Sequence, residues 1–148
     1  MFKLGEIMDE NKARNLNPIV LAFVGDAVYS LFVRERLTFT SDCKTGELNT
    51  KATAEVNAGA QAEFLKNIMP LLDEEELAIF KRARNAKKGT KAKHATIGEY
   101  NIATGFEAVL GYLYLIGKND RLNFLLNEGN IILDDICLLF SSYVVYPI

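Results

Sequence analysis

Proline is nearly absent from the interior of this chain, and that constrains the fold more than any other feature. The three prolines stand at positions 18, 70 and 147, so the stretches between them are free to form long uninterrupted helices. The first such stretch predicts a helix from about Pro18 to Leu37. Asn17 can cap it, and Pro18 suits a first helical position. Its interior, Ile19 to Val24, is apolar all round, which predicts a central helix buried on most sides. A second helix is expected over Glu47 to Ile68. There Ala52, Val56, Ala60 and Phe64 recur every fourth residue, and Pro70 ends it. A third starts at Asp73, with Glu74, Glu75 and Glu76 favourably placed at its positive end. The run Thr96-Ile97-Gly98-Glu99 has capping-box spacing and opens a mostly apolar helix that reaches Ile116 and stops at Gly117. A shorter helix is expected from Asp120 to Asn127. The expected fold class is therefore all-α.

At 148 residues the chain fits one domain. Residues 1–128 read as the functional domain and residues 129–148 as a tail of uncertain structure. The tail is β-branched and aromatic, but Asp134 and Asp135 interrupt it, so it reads as a packing element and not a membrane span. The two cysteines, Cys43 and Cys137, lack a CxxC spacing. With one histidine in the chain, His94, a Cys/His zinc site cannot be assembled. The first ten residues carry acids and no apolar signal-peptide core. A cytoplasmic location is the expectation.

Net charge is only −2, but its distribution is uneven. No acid occurs between Glu76 and Glu99. Within that interval lie Lys81, Arg82, Arg84, Lys87, Lys88, Lys91 and Lys93, seven of the seventeen basic residues, so the remainder of the chain carries −9. A charge run is often just a solvated face. The complete lack of acids across this one favours an anionic partner such as nucleic acid.

Two acids break the apolar pattern. Asp26 sits within Phe23-Val24-Gly25-Asp26-Ala27-Val28, and Glu107 within Phe106-Glu107-Ala108-Val109-Leu110-Gly111. Neither has a lysine or arginine within four positions on its own helix. A buried carboxylate must be paired, protonated or bound to metal. Gly25 precedes Asp26, and Gly111 lies one turn after Glu107. Glycines there would let the two helices approach closely and bring the carboxylates together. Two converging acids make a hard-cation site of the Mg²⁺ or Mn²⁺ type. Solvated acids or internal salt bridges, with the glycines as plain packing points, are the alternatives.

These same residues carry a family resemblance. Asn17 to Tyr29 resembles the signature helix of ribonuclease III, and Phe106 to Leu115 resembles that family's second metal-binding helix. More closely, the chain is similar to the Mini-ribonuclease III branch. The Asn17-Pro18 start, Lys51-Ala52-Thr53 and the Lys81 to Lys87 stretch all point there, and the likeness spans about Leu16 to Leu126. The resemblance implies an all-α ribonuclease III endonuclease fold and a homodimer. It implies Mg²⁺-dependent cleavage of double-stranded RNA, with Asp26 and Glu107 as catalytic metal ligands. The expected substrate is the precursor of large-subunit (23S) ribosomal RNA, presented alone or by a ribosomal protein. RNA contacts are expected from Arg82, Arg84, Asn85, Lys87, Lys88, Lys91 and Lys93, with Lys51 a further candidate. The longer enzymes have two more glutamates where this chain has Ile19 and Ala22, and an aspartate where it has Thr104. Water, Thr104 or RNA phosphates would fill those positions. A non-catalytic RNA-binding module of the same fold, and a purely structural helical dimer, are the competing readings.

Overall fold

A computed structural model describes residues 4–40, 42, 44–88 and 95–129. Every regular element among them is helical: α1 (Glu10–Arg14), α2 (Pro18–Thr40), α3 (Thr45–Val56), α4 (Ala58–Ile68), a 3₁₀ turn (Met69–Leu71), α5 (Glu74–Asn85) and α6 (Ile97–Leu115). A last helix, α7, covers residues 119–129. The tail beyond Gly129, including Asp134, Asp135 and Cys137, lies outside the described residues, as does Cys43.

Local chemistry sets the helix ends. The Asn17 side chain accepts from the Ile19 N–H, capping α2 as its sequence suggests. Asp73 and Glu76 close a reciprocal capping box on α5, and Thr96 and Glu99 close one on α6. Gly117 takes φ +73°, the left-handed turn that ends α6. The expected single helix over residues 47–68 is instead two. The break falls at Asn57, which is extended and whose side chain accepts from the Ala60 N–H to start α4. Asparagine competes well for the backbone, and here its local bond outweighs the helical period that runs across it.

The most buried helix is α6. It packs against α2, α4 and α5, and its Ala103 to Leu113 face is closed off almost all round. An aromatic trio joins the layers. Tyr29 of α2 meets Phe106 of α6 edge-on at 5.2 Å, and Phe64 of α4 stands 5.6 Å from Tyr29 and 5.5 Å from Phe106. On the other side, Glu76 of α5 is fully buried and bridged at 2.6 Å by Arg121 of α7.

The expectation that α2 is buried on most sides is corrected by the structure. Only Leu21, Ala22, Gly25, Tyr29, Val33 and Leu37 are buried. The opposite face shows large apolar groups to solvent, with Phe23 80% and Phe39 83% exposed and Val20 and Leu31 beside them. A helix can be apolar all round because it is enclosed by its own chain or because it presents a second apolar face. This one does the latter.

Candidate active site

The site is built where α2 crosses α6. A Cβ added to Gly25 would stand 1.6 Å from the Glu107 carbonyl oxygen, and one on Gly111 would stand 1.9 Å from the Leu21 carbonyl oxygen. Real side chains cannot occupy such space, so the two backbones touch at both glycines. Asp26 and Glu107 are the residues next to and at this contact, and the structure brings them together. Glu107 is half-buried and Asp26 is exposed, so the pair borders the surface and is not sealed inside.

The electrostatics follow from this placement. Burial, and then the neighbouring Asp26 charge, push the Glu107 carboxyl up to about 7. A hydrogen bond from the Gln61 amide opposes them. No ion pair among the described residues includes Asp26 or Glu107. Glu76 is the instructive contrast. It is a buried acid of the ordinary structural sort, with Arg121 against it, and it also caps α5. The Asp26–Glu107 pair has a deficit of positive charge that the described protein does not fill. Among the described residues no group of three or more His, Cys, Asp and Glu side chains gathers, here or elsewhere. Thr104, one turn before Glu107, is buried and donates its hydroxyl back to the Tyr100 carbonyl at 2.9 Å. Its oxygen keeps only acceptor capacity.

Comparison with known proteins identifies the architecture. The ribonuclease III domain family matches residues 19–118. The chain is 44% identical over 120 residues to a Mini-ribonuclease 3 of Clostridium tetani, covering 80% of each. It is 52% identical over 106 residues to that of Brevibacillus brevis, covering 72% of this chain and 79% of the relative. The chain belongs to the ribonuclease III family, in its Mini-ribonuclease III branch. A crystallographically determined protein of Fusobacterium nucleatum superposes with a TM-score of 0.70 at 34% identity, covering 82% of this chain and 95% of that one. In this Mini-ribonuclease III chain the matched region holds both acids and both contact glycines.

The basic stretch divides by what each side chain touches. Lys81, Arg82 and Lys87 are exposed on or just past α5, although one Arg82 nitrogen donates to the Leu16 carbonyl at 3.1 Å. Arg84 lies over the Phe80 ring, 5.6 Å from its centroid, and bonds Asn85. Lys88 is committed elsewhere. Its ammonium donates to the carbonyls of Ala83, Arg84 and Ala86 and to Asn101 Oδ1 at 2.9 Å, and it sits near the Tyr100 ring. It caps the C-terminus of α5 and ties it to α6. Burial holds its pKa below the usual lysine value. Lys51 is exposed on α3, away from this stretch in sequence. Lys91, Lys93 and His94 lie outside the described residues. No helix among the described residues is long and apolar enough to cross a membrane.

Sequence reasoning missed Gln61. It is 1% exposed and lies on α4, facing α6. A polar residue flanked by Ala60 and Ala62 on a core-facing stretch was the available signal. Arg121, the partner of Glu76, was missed as well, because the two are 45 residues apart.

Proposed function

We propose that this Mini-ribonuclease III chain is a cytoplasmic, Mg²⁺-dependent endoribonuclease that cuts double-stranded RNA as a homodimer, with large-subunit ribosomal RNA precursor as its substrate. The observation that carries this reading is the meeting of Asp26 and Glu107 at a two-glycine helix contact with no cation of their own. The donors are all oxygen, which suits Mg²⁺ or Mn²⁺ and not a thiolate- or imidazole-loving ion. The two carboxylates hold the ion. Once bound, such an ion lowers the pKa of a water and offsets the charge that builds on the attacked phosphate. With Glu107 rising to about 7 when metal-free, its proton must leave for it to act as a ligand, so binding couples to deprotonation.

The remaining roles belong to the surface. A-form RNA is recognised by shape, phosphates and 2′-hydroxyls. Lys81, Arg82 and Lys87, with Asn85, present donors to the phosphates, and Lys91, Lys93 and Lys51 extend that set. The exposed apolar face of α2, around Phe23, is the surface on which a second copy would sit.

The test is cleavage of a duplex RNA with Mg²⁺ or with EDTA, beside Asp26→Asn and Glu107→Gln. Cutting that needs Mg²⁺, and that falls by roughly two orders of magnitude or more in either variant, is the expected result. RNA that is bound but never cut would instead make the chain a non-catalytic RNA-binding module. A substrate comparison settles the finer point, since ribosomal precursor duplex should be cut at a defined position and an arbitrary duplex less selectively.

A further inference from the structure

The Gln61 side chain is fully buried, and its hydrogen-bonding capacity can be counted. A primary amide has two donors and one acceptor oxygen. Nε2 donates to the Val56 carbonyl at 2.8 Å, and the amide lies close enough to the Glu107 carboxyl to favour its charged form. The acceptor is unused, because among the described residues Oε1 has no hydrogen-bond partner. The amide cannot simply be turned over, since that would set Oε1 against the Val56 carbonyl, acceptor against acceptor. Its anchor is firm as well, because Val56 is the last residue of α3 and Gln61 stands in the first turns of α4.

A buried acceptor left without a donor is costly, and native structures rarely tolerate one without a reason. The orphaned oxygen belongs to an amide held near Glu107, a half-buried carboxyl that no ion pair among the described residues neutralises. Amide oxygen is a hard donor and a good acceptor for water.

We propose that Gln61 is a positioning residue of the Asp26–Glu107 site, its Nε2 orienting the Glu107 carboxylate while its Oε1 accepts from a water of the divalent cation's hydration shell. The inference rests on the metal-dependent reading of the site given above. It assigns a third polar group to a centre that has only two acids, and explains why that group comes from α4 and not from α2 or α6. Partners of this outer kind typically change metal affinity or activity by 10–100-fold.

The experiment is calorimetric titration of the metal-free protein with Mn²⁺, alongside melting temperatures without metal. The set is the wild type, Asp26→Asn, Gln61→Leu and Gln61→Met. Gln61→Leu removes the orphaned acceptor together with the donor to the Val56 carbonyl, so its metal-free melting temperature should fall only modestly, while it binds Mn²⁺ about 10-fold more weakly. Gln61→Met, closer to glutamine in length and without an acceptor oxygen, should weaken Mn²⁺ binding to a similar extent. In cleavage assays the Gln61→Leu curve should shift to higher Mg²⁺ and recover most of its kcat at saturation. Unchanged Mn²⁺ affinity in Gln61→Leu, with affinity lost in Asp26→Asn, would overturn the role of Gln61 and leave the nuclease reading intact. Should Gln61→Leu fail to fold, Gln61→Met decides alone, and unchanged Mn²⁺ affinity there overturns the role. If the wild type itself takes up no Mn²⁺, both proposals fall.

Discussion

A carboxyl that sits half out of water beside a second carboxyl ionises late, and Glu107 does so at about 7 against an ordinary 4.5. Between those values the native state holds a proton that the unfolded chain has already released. Unfolding free energy therefore falls as pH rises through that window. The whole shift corresponds to at most about 3 kcal/mol. Metal-free protein should lose up to that amount between pH 4.5 and 7, read as a falling urea midpoint, and Mg²⁺ should restore much of it above pH 7. Asp26→Asn removes the like charge but not the burial, which is the larger cause, so the variant expected to lose cleavage should reduce this pH dependence without abolishing it. Both acids were legible in the sequence because charge inside an apolar run breaks a pattern. Gln61 was not, because an uncharged amide among alanines breaks very little. The Asp26 carboxylate also proved exposed where the sequence suggested burial, since periodicity cannot tell an enclosed helix from one with a bare face.

At the scale of elements, the close contact of α2 and α6 is what makes a site from two separate helices. Gly25→Ala and Gly111→Ala would each drive a methyl group into backbone, and neither neighbour is a flexible side chain that can swing away. Each should cost about 3 kcal/mol, seen as a lowered melting temperature, with cleavage failing even in the molecules that fold. The end of α5 supplies a second contrast. Lys87→Ala should weaken duplex binding and lower the slope of log affinity against log salt by about one. Lys88→Ala should mainly lower the melting temperature, because that ammonium already serves four oxygens of the protein. Composition alone treats the two lysines as equals. Only their surroundings separate them, and those depend on Asn101, 13 residues away along the chain. The caps at Asn17, Asp73 and Thr96 were legible because their chemistry is local. The break at Asn57 was harder to read because it falls inside a continuing apolar period.

The whole molecule carries an apolar face that its own core does not use. Phe23, with Val20 and Leu31, stands on α2 one turn or so from Asp26. Pairing of two copies through this face would bury those groups and set two sites in fixed relation. Phe23→Asp should convert a dimer to a monomer in sedimentation equilibrium while leaving the helical circular dichroism unchanged. A wild type that is monomeric at micromolar concentration would remove this element of the proposal. The Lys88 anchor also has a consequence at this scale. Asn101, which it grips, lies on the same helix as Glu107 and six residues before it, about 9 Å along the axis. The base of the proposed phosphate grip and the proposed point of scission are therefore marked on one rigid rod. Were RNA held and cut as proposed, the strand position of the cut would be measured from where the backbone is held and would not have to be read from the bases.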